Sequence, residues 1–177
     1  MSHTPFRLIL VSGLALSIFA AWPARADDTS CRGTLRAGAY DDIRVPDGAR
    51  CTLDRVRVDG NVKVGRGASL STTGARVGGN IQGDGANAVR ISGGSVQGDI
   101  QAKEGGAVRV SGVRIGGNLQ VEKNAGAFSA ADNTIDGDLQ AFGNRGRIDL
   151  RHNRIAGNLQ CKDNRGGVTG RLGQSRG

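Results

Sequence analysis

Aromatic residues make up 3% of this 177-residue chain, which also contains only three prolines, two histidines and one methionine. So few large rings exclude an ordinary globular core packed on bulky side chains. They also remove the stacking platforms that single-stranded nucleic acid needs, so no nucleic-acid partner is expected. With His3 and His152 as the only histidines, the chain has no H-E-x-x-H motif and no Cys/His cluster at zinc spacing. A nucleophile elbow and the glycine-aspartate calcium nonapeptide are missing too. The chain therefore reads as a non-enzyme, with no catalytic residues, no metal and no cofactor.

Long hydrophobic runs are also scarce. The one present, Leu8 to Trp22, has fifteen residues, short of the roughly 20 that span a bilayer. Arg7 precedes it and Ala24-Arg25-Ala26 follows it, the order of an export signal with its cleavage site. Residues 1–26 are accordingly expected to be a signal peptide cleaved after Ala26. That implies a periplasmic or secreted protein with no transmembrane anchor after cleavage. Loss of Arg7 and Arg25 with the leader reduces 24 basic residues to 22, against 16 acidic, for a net charge of +6. Tyr40, Phe128 and Phe142 are then the only aromatics.

What the chain has in abundance is glycine, 30 residues, and a repeat. The tetrapeptide Gly-Asn-Leu-Gln occurs at 117–120 and 157–160, with variants beginning at Gly60, Gly79, Gly98 and Gly137. The marker glycines are spaced 19, 19, 19, 20 and 20 residues apart, a solenoid period. Each repeat holds three short alternating segments, a strand signal. Their apolar columns include Cys51, Leu70 and Val89 in the first segment, Val58, Val77 and Val96 in the second, and Val62, Ile81 and Ile100 in the third. The third segment adds a second column, Val64, Gly83, Ala102, Val121, Ala141 and Cys161.

The expected fold is all-β, a single-stranded β-solenoid (parallel β-helix) with three short strands per 19–20-residue coil. The absence of a strict hexapeptide pattern points to a right-handed one. Residues 27–50 read as an N-terminal cap and partial coil, 51–172 as a β-helix of about six coils, and 173–177 as a flexible tail. Coils this short leave little chain for the loops of a glycan-cleaving cleft.

Each letter of the tetrapeptide has an expected task. Glycine supplies a backbone conformation closed to other residues. Asn61, Asn80, Asp99, Asn118, Asp138 and Asn158 form a ladder up the rod, with an amide between the acids donating to both. Asn124, Asn144 and Asn164 sit where the extra residue enters the later coils and suit a left-handed turn. Gln82, Gln101, Gln120, Gln140 and Gln160 face solvent as a stripe, either a stabilising ladder or a polar face for a glycan. Arg57, Arg76, Arg114 and Arg154 share another outward column with Ser95 and Thr134. They form either a solvated basic face or a binding stripe for a polyanion, with Asp59 and Asp136 offsetting part of the charge. For an exported rod the polyanion would be an anionic envelope polysaccharide. The other partner considered is the chain itself, stacking end to end at an open β-helix edge.

Cys31, Cys51 and Cys161 leave one thiol over. Export favours a Cys31–Cys51 bridge. Cys161 lies about five coils from Cys51, or ~24 Å, beyond disulfide reach, and reads as a buried small residue.

The run Val45-Pro46-Asp47-Gly48-Ala49-Arg50-Cys51, the repeated Gly-Asn-Ile/Leu-Gln and the closing stretch Gly157 to Asn164 together resemble an uncharacterised family of small exported bacterial β-helical proteins. The resemblance covers most of residues 31–165 and implies export and a short-coil β-helix. A looser architectural likeness is to bactofilins, cytoplasmic cytoskeletal polymers, from which the signal peptide departs.

Overall fold

A computed structural model describes residues 28–171. The expected leader with its cleavage after Ala26 and the tail 173–177 lie outside the described residues. Every regular element is a β-strand, and all strand pairs are parallel between successive coils. Three sheets run the length of a β-solenoid. Sheet A has eight strands, from Asp28–Ser30 to Leu159–Lys162. Sheet B has eight, from Gly33–Arg36 to Val168–Arg171, and sheet C has seven, from Ala39–Tyr40 to Arg154–Ile155.

The alternation explains the packing. Strand side chains point to opposite faces in turn, so every second residue of each coil enters a shared interior. Ile43, Val62, Ile81, Ile100, Leu119 and Leu139 stack in register along sheet A and are buried. Cys51, Leu70, Val89, Val108, Phe128 and Ile148 do the same along sheet B. Phe128 is one of the largest fully buried side chains, in a core otherwise filled mainly by Val, Ile, Leu and Ala. A narrow rod needs nothing larger, which is how so aromatic-poor a chain acquires a core.

Residues 28–50 are more than a cap. They place strands in all three sheets, so eight sheet-A strands bound seven turns of helix, and the six sheet-A strands from Val62 onward are the coils expected over 51–172. The bridge Cys31–Cys51 therefore joins two adjacent coils from inside the core, where both cysteines are buried.

The marker glycines correct a second expectation. None of Gly60, Gly79, Gly98, Gly117, Gly137 and Gly157 has a positive φ. Glycine is required there by close approach instead. A Cβ on Gly79 would lie 2.6 Å from Asn61 Oδ1 and 2.7 Å from the Gly60 carbonyl oxygen, both on the coil below. Left-handed backbone is found at other corners. One column of it is Arg55, Gly74, Gly93, Gly112, Asp132 and His152, with φ between 52° and 64°.

The asparagines behind the coil-length change are the third correction. Asn124 and Asn144 do not take the left-handed conformation, which falls to the residues before them, Lys123 (φ 53°) and Gly143 (φ 63°). Both asparagines are buried, and their amides donate to the carbonyls of Ala102 and Val121. Asn133 and Asn153 form an equivalent buried pair at the corner between sheets B and C, donating to Val110 and Ala130. Every buried amide here finds partners, as a low-dielectric interior demands.

Candidate functional site

Sheet C is the narrowest, with two residues per strand, so each strand gives one side chain to the core and one to the outside. The outward register is Arg57, Arg76, Ser95, Arg114, Thr134, Arg154. All four arginines are exposed, whereas Ser95 and Thr134 are half-buried. Arg76 is flanked two residues away by Gly74 and Gly78, and Arg114 by Gly112 and Gly116. Gly112 has open space where a side chain would be, whereas the Arg55 side chain packs against the position of a Cβ on Gly74.

The charges are unevenly compensated. Arg57 Nε lies 2.6 Å from Asp59 Oδ1, which offsets the repulsion between Arg57 and its neighbour Arg76. Asp136, the equivalent acid beside Thr134, makes no ion pair among the described residues. Among the described residues no acid lies within ion-pair distance of Arg76, Arg114 or Arg154.

No family model, curated protein or solved structure matches the chain. What its surface does must be read from the residues themselves.

Around the next corner, sheet A carries the glutamines in register above Arg44 and Lys63. They point outward, but only Gln82 is exposed; Gln101, Gln120, Gln140 and Gln160 are half-buried. Identical long side chains stacked at the ~4.8 Å strand spacing cover one another's flanks. Gln160 Nε2 also donates to Asp138 Oδ2 at 3.2 Å. The glutamine stripe is therefore less open to a partner than the arginine column.

Between these two columns runs the Asn/Asp ladder. The backbone amides of Asn80, Asp99, Asn118, Asp138 and Asn158 each donate to Oδ1 of the ladder residue one coil below, at 2.6–2.9 Å. Asp42 extends it downward by accepting from Asn61. Donation runs one way only, so an amide does not serve both neighbouring acids. The carboxylates of Asp42, Asp99 and Asp138 are consumed as acceptors for backbone and amide N–H groups. These acids are scaffold.

One feature went unnoticed in the sequence. Arg147, Asp149, Arg151, His152, Thr169 and Gly170 line a shallow groove of about 420 Å³ at the C-terminal end of sheet B. Arg151 grips Asp149 at two points, 2.8 Å from Nε and 2.7 Å from Nη2. His152 Nδ1 lies 3.4 Å from Asp132 Oδ1. The two-residue spacing of 147, 149 and 151, which puts all three side chains on one face, was the available signal. Among the described residues no group of three or more His, Cys, Asp or Glu is arranged to hold a metal ion.

Cys161 corrects the remaining expectation. Its column is inward-facing, yet it is exposed on the last sheet-A strand, above which the described residues place no further coil. Nearby chain atoms still desolvate the thiol and push its pKa above the ordinary value.

Proposed function

We propose that this chain is an exported, non-catalytic binding rod of the bacterial periplasm or cell surface whose sheet-C arginine column holds an anionic envelope polymer. The observation that carries this reading is the register of Arg76, Arg114 and Arg154, exposed on one face with no acid paired to them among the described residues. A leader-like N-terminus, a buried disulfide and a basic balance of charge support export to an oxidising compartment rich in such polymers. The resemblance to small exported β-helical proteins points the same way. Among the described residues no helix is long and apolar enough to cross a membrane.

The test is retention on an immobilised anionic polysaccharide at low and moderate salt. The chain should bind and elute as salt rises. Replacing Arg76, Arg114 and Arg154 together with Ser should abolish retention without changing the melting transition. Retention of the triple variant equal to that of the parent would defeat the proposal.

A second reading, end-to-end self-assembly, is favoured by the last described coil. Ile155 and Leu159 are only half-buried and Val168 is 47% exposed, whereas their equivalents Ile135, Leu139 and Ile148 are sealed. Among the described residues no strand lies above this coil, and a strand edge left in that way can pair with a second copy. Concentration-dependent growth in light scattering supports assembly, and a mass that stays monomeric at high concentration removes it.

A further inference from the structure

The sheet-C column is periodic in a second sense. Above the Asp59-paired Arg57, it alternates cation and hydroxyl: Arg76, Ser95, Arg114, Thr134, Arg154. Successive strands stand ~4.8 Å apart, so the unpaired guanidinium groups recur at ~10 Å, every second coil. Between them sit short hydroxyls able to donate and accept hydrogen bonds. A polymer with a negative charge on every residue would leave half its charges facing Ser95 and Thr134. A neutral one would leave the arginines without partners.

We propose that this face is matched to an extended glycan carrying one carboxylate per disaccharide, laid along the rod axis. Its alternate acidic sugars lie over Arg76, Arg114 and Arg154, and its neutral sugars over Ser95 and Thr134. The inference rests on the reading that this column holds a polyanion, and adds the charge spacing. Arginine suits the task because its planar fork engages a carboxylate at two points. Three such contacts at a fixed repeat reinforce one another, since once the first forms the others close within the same complex. Gly112, with open space where a side chain would be, leaves one side of the ridge at Arg114 open to the sugar rings.

Alternation also keeps like charges out of adjacent coils, so the test must hold charge constant while changing spacing. The double variant Ser95→Arg with Arg114→Ser does so, moving one cation by a single coil at unchanged net charge. With Arg57 and Arg76 it makes a run of three arginines in successive coils, where the parent has two and Asp59 compensates one of them, so folding is checked first. A thermal melt of the variant confirms folding, and Arg76→Ser with Ser95→Arg provides a second register shift at a position with no acid two residues on. The probe is a hyaluronan decasaccharide, with one carboxylate per disaccharide, read by titration calorimetry beside a neutral chitin oligosaccharide.

Parent protein should bind the hyaluronan probe and ignore the neutral one. Each register-shift variant should bind it about tenfold more weakly, the equivalent of one lost charged contact. If the triple Arg→Ser variant loses binding while both shifted variants keep the parent's affinity, the charge-spacing inference is overturned and the polyanion reading stands. If the triple variant binds as well as the parent, or the parent does not bind, both fall.

Discussion

The backbone amide of Asn80 donates to Oδ1 of Asn61, one coil below, at 2.9 Å, and that oxygen occupies the space a side chain on Gly79 would need. The glycine and the asparagine of the repeat are thus one device, split across two coils. Asn61→Ala strands the Asn80 amide and should cost about 1–3 kcal/mol. Gly79→Ala should cost more, because the Gly60 carbonyl blocks the same space. Gly112→Ala, at φ +64° with nothing within 4 Å, should cost only the ~1–2 kcal/mol of a left-handed residue. Urea denaturation of the three variants checks the order, and equal losses for the two glycines would contradict it.

Asn144 is fully buried and makes more hydrogen bonds than any exposed ladder residue. Its Nδ2 donates to the carbonyl of Val121 and to Asn164 Oδ1, and its Oδ1 accepts from the Asn124 backbone amide. Asn144→Leu should destabilise by at least ~3 kcal/mol, since it leaves a carbonyl and an amide unpaired as well as removing the bonds. A change below ~1 kcal/mol in the same assay would mean that water takes over these groups.

Thr72 carries the opposite prediction. Its hydroxyl is buried in the sheet-B column between Leu53 and Ile91 and has no hydrogen-bond partner. Thr72→Val keeps the shape and removes the unpaired group, so a gain of about 1 kcal/mol is expected. Loss of stability on this substitution would show that the hydroxyl has a partner after all.

Reduction of Cys31–Cys51 should act locally. The bridge closes a loop with a sequence separation of 20, worth about 3 kcal/mol in chain entropy. In a solenoid each coil contacts only its neighbours. Hydrogen exchange after reduction should therefore accelerate in strands from Asp28 to Val58 and stay unchanged beyond Gly98. Uniform acceleration along the rod would contradict this locality.

Cys161 should alkylate slowly near neutral pH despite its exposure. Desolvation raises its pKa, so the thiolate becomes abundant only above the pH at which an unhindered cysteine ionises. The rate of iodoacetamide labelling against pH, read by mass spectrometry, should show a midpoint above that of a free-cysteine peptide. A midpoint at or below the peptide's would rule out burial as the dominant influence.

Much of this was legible beforehand because a solenoid writes its register into its sequence. The 19-residue recurrence of Val62, Ile81 and Ile100 located the sheet-A column, and columns of Val and Ile at period two identified the strands. The reason for each glycine was not legible. Close approach and left-handed backbone both select glycine, and only three-dimensional neighbours distinguish Gly79 from Gly112. Asn133 and Asn153 escaped notice because burial of an asparagine depends on carbonyls one coil away. The arginine column was visible as a column. Its uneven compensation was not, since an Asp two residues on pairs with Arg57 but the equivalent Asp136 has no ion-pair partner among the described residues.

The change from 19 to 20 residues per coil has a consequence for assembly of the rod. A stack of near-identical coils can mispair, each strand settling one coil too early or too late with its apolar face still correctly inward. Past Asn124 that error is no longer harmless. A strand slipped across that boundary would set a 20-residue coil against a 19-residue one and leave the extra residue without a matching position. The single added residue acts as a frame mark, letting a repetitive chain distinguish its own correct alignment from those shifted by one.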